Sequence, residues 1–392
     1  MFLDGALIFM GDFKGTRIAW LLPSLELGDY WQPIFRELTC LNQQTRIFTG
    51  AWKGFIRTCE DAFTVEIVGK TTFIQFQQST NGYSQGYIKA SPAIVLHLLR
   101  FQPQVIFTSG FSIWTLLSIL TKPLGGWAIV VAYDGSSPMI DCLNAPRRLQ
   151  MRRWMSHFVN AFITNTSQGK AYLTSGLDIE PQRVFVQPYQ VADATALLDC
   201  SKDCVEVGGK SNRPIFLFVG RVQHRKGIQF LLEACALLKQ QGYQFSLWII
   251  GEGPQREELE AFCQSQGLED FVRWLGYQHY SDLGTYFKQV DAFVFPTLED
   301  IWGMVVLEAM VFGKPILCSK WAGASELVVH GENGYVFDPK NLDELATAMR
   351  HLCDHPVSVT EMGAKSKELI TQHTPVKAAE FLNHVAEVAV QY

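Results

Sequence analysis

What most restricts the fold of this 392-residue chain is an alternation of short apolar runs with helical stretches, in two successive series. The first holds RIAWLLP (17–23), RIFTG (46–50), TVEIVG (64–69), VIFTSG (105–110), WAIVVAYDG (127–135), AFITNT (161–166) and VFVQPY (184–189). The second holds PIFLFVG (214–220), SLWIIGEG (246–253), VRWLG (272–276), AFVFPT (292–297), PILCS (315–319) and GYVFDP (334–339). Such short apolar runs suit strands covered on both faces, and the helices between them supply the crossovers of parallel sheets. The predicted class is α/β, with two doubly wound parallel sheets.

Residues 190–213 lose strand periodicity and end in Gly-Gly-Lys-Ser-Asn-Arg-Pro, a turn-rich domain boundary. The division expected is 1–16 as a leader, 17–195 as a first Rossmann-like domain, 196–213 as linker and 214–375 as a second such domain. A helix over 376–392, started by Thr374-Pro375, then covers one domain or packs back on the first. With 48% hydrophobic and 18% charged residues and a net charge of −5, the composition excludes a disordered or nucleic-acid-coating chain. Nine scattered cysteines without a C-x-x-C pair suggest neither a disulfide framework nor a zinc site, and point to a reducing cytoplasm. The longest apolar region, 105–133, is broken by Ser109, Gly110, Lys122 and Pro123, short of the roughly 20 residues a membrane span needs.

The chemistry concentrates in 291–310, DAFVFPTLEDIWGMVVLEAM. A buried strand runs into a turn and then an apolar helix whose start, at Gly303, offers free amides to an anion such as a phosphate. Glu308 lies one helical turn beyond Met304, on the face that looks back at that start, and Asp300 sits in the preceding loop. Carboxylates beside a diphosphate repel it, so they suit neutral hydroxyls, and the combination suggests a sugar nucleotide. In FVGRVQHRKG (218–227), Gly220 ends a strand, and Arg221 and Lys226 converge on one loop able to clamp a diphosphate. GEG at 251–253 is too short a signal for a dinucleotide fingerprint, and in WAGASELVVHGENGYVFDP (321–339) Glu326 reads as part of an ordinary capped turn. Arg147, Arg148, Arg152 and Arg153, interleaved with Leu149, Met151, Trp154 and Phe158, form a solvated basic face or an internal salt-bridge set, or touch anionic lipid headgroups. Trp20, Trp31, Trp114 and Trp127 read mostly as core.

Taken in order, FVGR…KG, GxGP, VRWLG, FPTLEDIWGMVVLEAM and GASELVVHGENGYVFDP resemble the family 4 retaining glycosyltransferases of GT-B fold, almost continuously over 214–350. The resemblance implies two Rossmann-like domains facing a cleft, the first binding an acceptor and the second a UDP- or GDP-sugar. It implies Arg221 and Lys226 on the donor diphosphate, Glu308 on the ribose, and the backbone of Gly303, Met304 and Val305 on phosphate and sugar. Asp300, in a D-x-W-G variant of the motif, would meet the donor sugar; Tyr277, Glu252 and Gly253 would line the base pocket. On the acceptor side only Gly28 stands where relatives carry a Gly-Gly loop, and Tyr133-Asp134 stand where many carry a His, making Asp134 the candidate facing the reacting sugar. No metal, cofactor or nucleic acid is expected. The acceptor implied is a carbohydrate or lipid-linked oligosaccharide at the cytoplasmic face of a membrane, with peripheral contact. The rival readings are a sugar-nucleotide 2-epimerase of the same fold and a non-catalytic GT-B subunit. Alanine at Lys226 is expected to cut turnover with the fold intact.

Overall fold

The computed structural model describes residues 15–23, 29–77, 85–200 and 212–392. The expected leader 1–16 and Gly28 therefore lie largely or wholly outside the described residues, as does 201–211 of the expected linker.

The first sheet contains β1 (Ile18–Leu22), β2 (Thr45–Thr49) and β3 (Thr64–Ile67). A separate antiparallel hairpin follows, β4 (Thr72–Gln77) and β5 (Gln85–Lys89), and the sheet resumes with β6 (Val105–Ser109), β7 (Ala128–Ala132), β8 (Ala161–Thr164) and β9 (Val184–Val186). Its order is β3-β2-β1-β6-β7-β8-β9, parallel throughout. The second sheet has β10 (Ile215–Val219), β11 (Ser246–Ile250), β12 (Val272–Gly276), β13 (Ala292–Phe295), β14 (Ile316–Ser319) and β15 (Gly334–Phe337). It repeats the pattern as β12-β11-β10-β13-β14-β15. Both orders run outward from a central strand and then reverse past it, so each sheet has a switch point, β1/β6 and β10/β13, whose carboxyl ends open a crevice for ligands.

The apolar runs are strands because both faces are covered: every residue of β1, β7 and β11 is buried. The aromatics of the first half fill that core. Trp20 stacks on Phe107 with ring centroids 4.6 Å apart, and Trp31 on Phe35 at 5.4 Å. Buried Trp114 and Trp127 donate their indole N–H to the carbonyls of Ser91 (2.8 Å) and Ser118 (3.0 Å).

Two crossings tie the domains together. Past β9 the chain turns through buried Tyr189, Val191 and Ala192 into the helix Ala194–Cys200, so the start of the composition-marked linker is helical. The helix Pro375–Gln391 returns to the first domain and buries Leu382, Val385 and Ala389. There Asn42 Nδ2 donates to Asn383 Oδ1 (2.9 Å) and Asn160 Nδ2 to the Ala389 carbonyl (3.1 Å). No described helix is long and apolar enough to cross a membrane.

Candidate active site

At the second switch point, β13 exits into a turn that Thr297 braces by donating to the carbonyl of Arg225 at 2.9 Å. The helix Met304–Val311 follows. Gly303 at its N-cap has φ of +106°, a left-handed conformation that L side chains avoid, and an added Cβ would stand 2.9 Å from the Phe295 ring. No side chain caps this helix, so its first amides remain available to a ligand.

The loop after β10 is pressed onto the same turn. At Gly227, φ is +65° and a Cβ would lie 2.1 Å from the carbonyl oxygen of Pro296, so only glycine lets the two loops meet. That approach delivers Lys226 to Asp300: the Nζ donates to Oδ2, and Arg225 Nη1 reaches the same oxygen at 3.4 Å and the Glu299 carbonyl at 2.9 Å. Burial works to raise the Asp300 carboxyl, but Lys226 and Arg225 together hold it below its ordinary value. Burial lowers the Lys226 ammonium, with Asp300 opposing. Arg221 stays exposed at the rim. Glu308, 6% exposed, is pushed up to about 7 by burial, while a hydrogen bond from the Tyr280 hydroxyl works the other way.

Across the cleft stands Asp134, at the carboxyl end of β7. Its Oδ1 accepts from Tyr189 Oη (2.8 Å), and Asn165 Nδ2 spans its carbonyl (2.8 Å) and Gln190 Oε1 (3.1 Å). Burial raises the Asp134 carboxyl, with the bonds from Tyr189 and Gln190 opposing. Asp134 and Gln190 from the first domain and Gly220, Arg221, Lys226, Asp300, Gly303, Met304, Val305 and Glu308 from the second line one cleft of about 380 Å³.

Four sequence-predicted residues stand elsewhere. Tyr133 is 4% exposed and gives its hydroxyl to buried Asp141; its side chain packs in the first domain's core because that carboxylate needs a donor there. Glu252 pairs with Arg256 on the surface, Gly253 packs under Val222, and Tyr277, 68% exposed, sets its ring against His279, so none of the three lines the cleft. Asp300, expected to face the sugar, has one oxygen committed to Lys226.

Sequence reasoning missed the residues that join the domains. Trp302 Nε1 donates to the Gln190 carbonyl at 2.8 Å, and the Ile301 carbonyl is flanked by Gly135 and Gly323, where a Cβ would come within 2.1 and 2.3 Å of it. The carboxylate of Glu326 accepts from the Ser167 amide at 2.9 Å with either oxygen, so it caps a helix of the other domain rather than its own turn. Glu326→Ala is expected to loosen this closure and raise the ligand-free radius of gyration in small-angle scattering; an unchanged radius would remove Glu326 from the seal.

Residues 203–369 match the family model described as glycosyl transferases group 1. The chain is 32% identical over 148 residues to the alpha-D-kanosaminyltransferase of Streptomyces kanamyceticus, 38% of each chain. To the D-inositol 3-phosphate glycosyltransferase of Pseudarthrobacter chlorophenolicus it is 30% identical over 206 residues, 51% of this chain and 49% of the relative. It thus spans between about a third and a half of the length of these curated relatives. Among solved structures, Anabaena HepE in complex with UDP superposes with a TM-score of 0.74 at 18% identity, over 94% of this chain and 99% of that one. The sucrose-phosphate synthase of Thermosynechococcus elongatus gives 0.71 at 17% identity, over 95% and 98%. The two facing Rossmann-like domains are therefore a GT-B fold.

Proposed function

We propose that this chain is a retaining glycosyltransferase that moves a sugar from a UDP- or GDP-sugar to a hydroxyl of a carbohydrate or lipid-linked acceptor, in polysaccharide, oligosaccharide or glycolipid synthesis at a cytoplasmic membrane surface. The observation that carries it is convergence on one cleft: two cations, an uncapped helix start and a buried carboxylate from the second domain face Asp134 from the first. Arg221, Lys226 and the amides after Gly303 hold the diphosphate and stabilise its charge as the glycosidic bond breaks. Glu308 accepts the ribose hydroxyls. Asp300 holds the Lys226 ammonium in place and meets the sugar, and Asp134, fixed by Tyr189, accepts a sugar hydroxyl from the opposite side. The departing diphosphate takes the acceptor proton on the same face, so no protein nucleophile is required. The seal at Trp302 and Glu326 excludes water from the cleft.

Incubation with a panel of UDP- and GDP-sugars, followed by NMR, tests this. Slow hydrolysis that releases the sugar in the donor's configuration is expected. A sugar epimerised at C2 would replace the reading with an epimerase, and binding without turnover with a non-catalytic subunit.

A further inference from the structure

The first domain gathers positive charge and exposed apolar side chains in one place. From 67 to 177 the sequence holds nine lysines and arginines and only two acids, in a chain whose net charge is −5. Both acids are engaged within the domain: Asp134 accepts from Tyr189, and buried Asp141 from Tyr133 and Ser136. The helices of this stretch, Ile94–Phe101, Ile113–Gly125 and Pro146–Ser156, cover one face of the first sheet, where Leu98, Trp114, Ile119 and Met155 fill a common core. Their outer side is apolar where a solvent-facing layer is ordinarily polar. Leu120 is 58% exposed, Leu124 73% and Trp154 44%, and Leu96, Met151 and Phe158 are exposed as well. Lys122 Nζ donates to the Phe158 carbonyl at 3.0 Å and so joins the ends of the second and third helices. Arg152 turns inward to Tyr172 Oη (2.8 Å) and Arg153 bonds the Gly176 carbonyl (2.9 Å), whereas Arg147 and Arg148 stand exposed.

We propose that this face docks on an anionic bilayer, its leucines and aromatics entering the acyl boundary and Arg147 and Arg148 meeting the headgroups. Under the proposed function, on which the cytoplasmic setting rests, this is where the chain meets the membrane. Two features select a bilayer. Cations without neighbouring acids call for an anionic partner, and exposed leucines call for an apolar one. A nucleic acid would leave the leucines wet, and a second copy would set the same positive face against itself. No described helix is long and apolar enough to cross the bilayer, so the three helices lie on it. They flank the carboxyl ends of the strands, where the cleft opens, so a chain resting on this face holds the cleft beside the bilayer and within reach of a lipid-linked acceptor.

The test is co-sedimentation of the full chain with vesicles of phosphatidylcholine alone and of phosphatidylcholine mixed with phosphatidylglycerol. The wild type should bind the anionic vesicles, more weakly at high salt, and the neutral ones at least about tenfold less well. Arg147→Gln with Arg148→Gln should weaken anionic binding about thirtyfold, the scale of two cationic side chains at such a surface. Leu120→Ser with Leu124→Ser, and Trp154→Ser with Phe158→Ser, should each weaken it about tenfold or more. Val357→Ser, at an exposed position of the second domain, should change nothing, and thermal melts of all variants should match the wild type. No vesicle binding, equal binding to both vesicles, or binding that survives in both apolar double variants would overturn the proposal. Without vesicle binding, a dimer in sedimentation velocity that Leu120→Ser with Leu124→Ser dissolves would assign the face to a second copy, and retention on RNA would assign it to a nucleic acid. Vesicle binding by a chain that binds neither UDP nor GDP would uphold the docking face and overturn the donor site; sugar transfer without vesicle binding would do the reverse.

Discussion

Lys226→Ala should lower donor turnover by roughly 10²–10³-fold, the usual cost of removing one group that stabilises developing charge in a dry site. It should also destabilise the fold, contrary to the expectation from sequence alone. The side chains of Lys226 and Asp300 are 11% and 10% exposed, and the ammonium is the nearer of the two cations on the carboxylate. Removing one partner of a buried pair typically costs about 3–5 kcal/mol because the other charge is left uncompensated. Arg225 remains 3.4 Å from the same oxygen, so the lower end of that range is expected. Asp300 is held below its ordinary value in the fold, so its stabilising contribution is present above that value and is lost as pH falls through the folded one. Without Lys226 this acid-side contribution shrinks. Adding Asp300→Asn to Lys226→Ala should recover stability in urea unfolding but not turnover. Near-normal turnover in Lys226→Ala would remove this residue from the diphosphate site.

The sheets were legible because parallel strands buried on both faces leave continuous apolar runs, as in IAWLL and SLWII, whatever the rest of the chain does. The hairpin β4–β5 was not: TFIQFQ and QGYIK lie outside the main sheet, and their alternation is weak and interrupted. The clustering of the second domain's cleft residues was legible because its parts are local. A strand end, a glycine and a helix start place Gly303, Met304 and Glu308 within one short segment, and the same logic places Arg221 and Lys226. What stayed hidden depends on distant pairings. That Asp300 belongs to Lys226, that Glu326 caps a helix at Ser167, and that Tyr133 turns into the core toward Asp141 while Asp134 faces the cleft are all set by how the loops and domains dock. Neighbouring residues on a strand end point to opposite sides, and sequence does not say which side is the cleft.

Glu308→Gln should make the ligand-free chain more stable at pH 8 and at the same time weaken nucleoside diphosphate binding more than tenfold. Burial raises this carboxyl from 4.5 to about 7, so between those values the folded chain keeps a proton that the unfolded chain releases. The contribution to stability is fully present below about 4.5 and is lost as pH rises through about 7. That interval corresponds to about 3 kcal/mol, the cost of holding an ionised carboxylate in the cleft without its ligand. A glutamine has nearly the same shape and no charge, so thermal melts should show the variant's gain growing from almost nothing at pH 4.5 to about 2–3 kcal/mol at pH 8. Binding should move the other way, because a carboxylate accepts ribose hydroxyls through charge-assisted bonds that a neutral amide makes less well. For the same reason wild-type affinity for UDP or GDP should rise as pH passes through about 7, and the variant's affinity should stay flat. A purely structural glutamate would lose stability on substitution and leave nucleotide affinity alone, so a fall in the pH 8 melting temperature with unchanged binding would exclude Glu308 as the ribose acceptor. Opposite signs for stability and affinity are what a carboxylate kept buried for a ligand must produce.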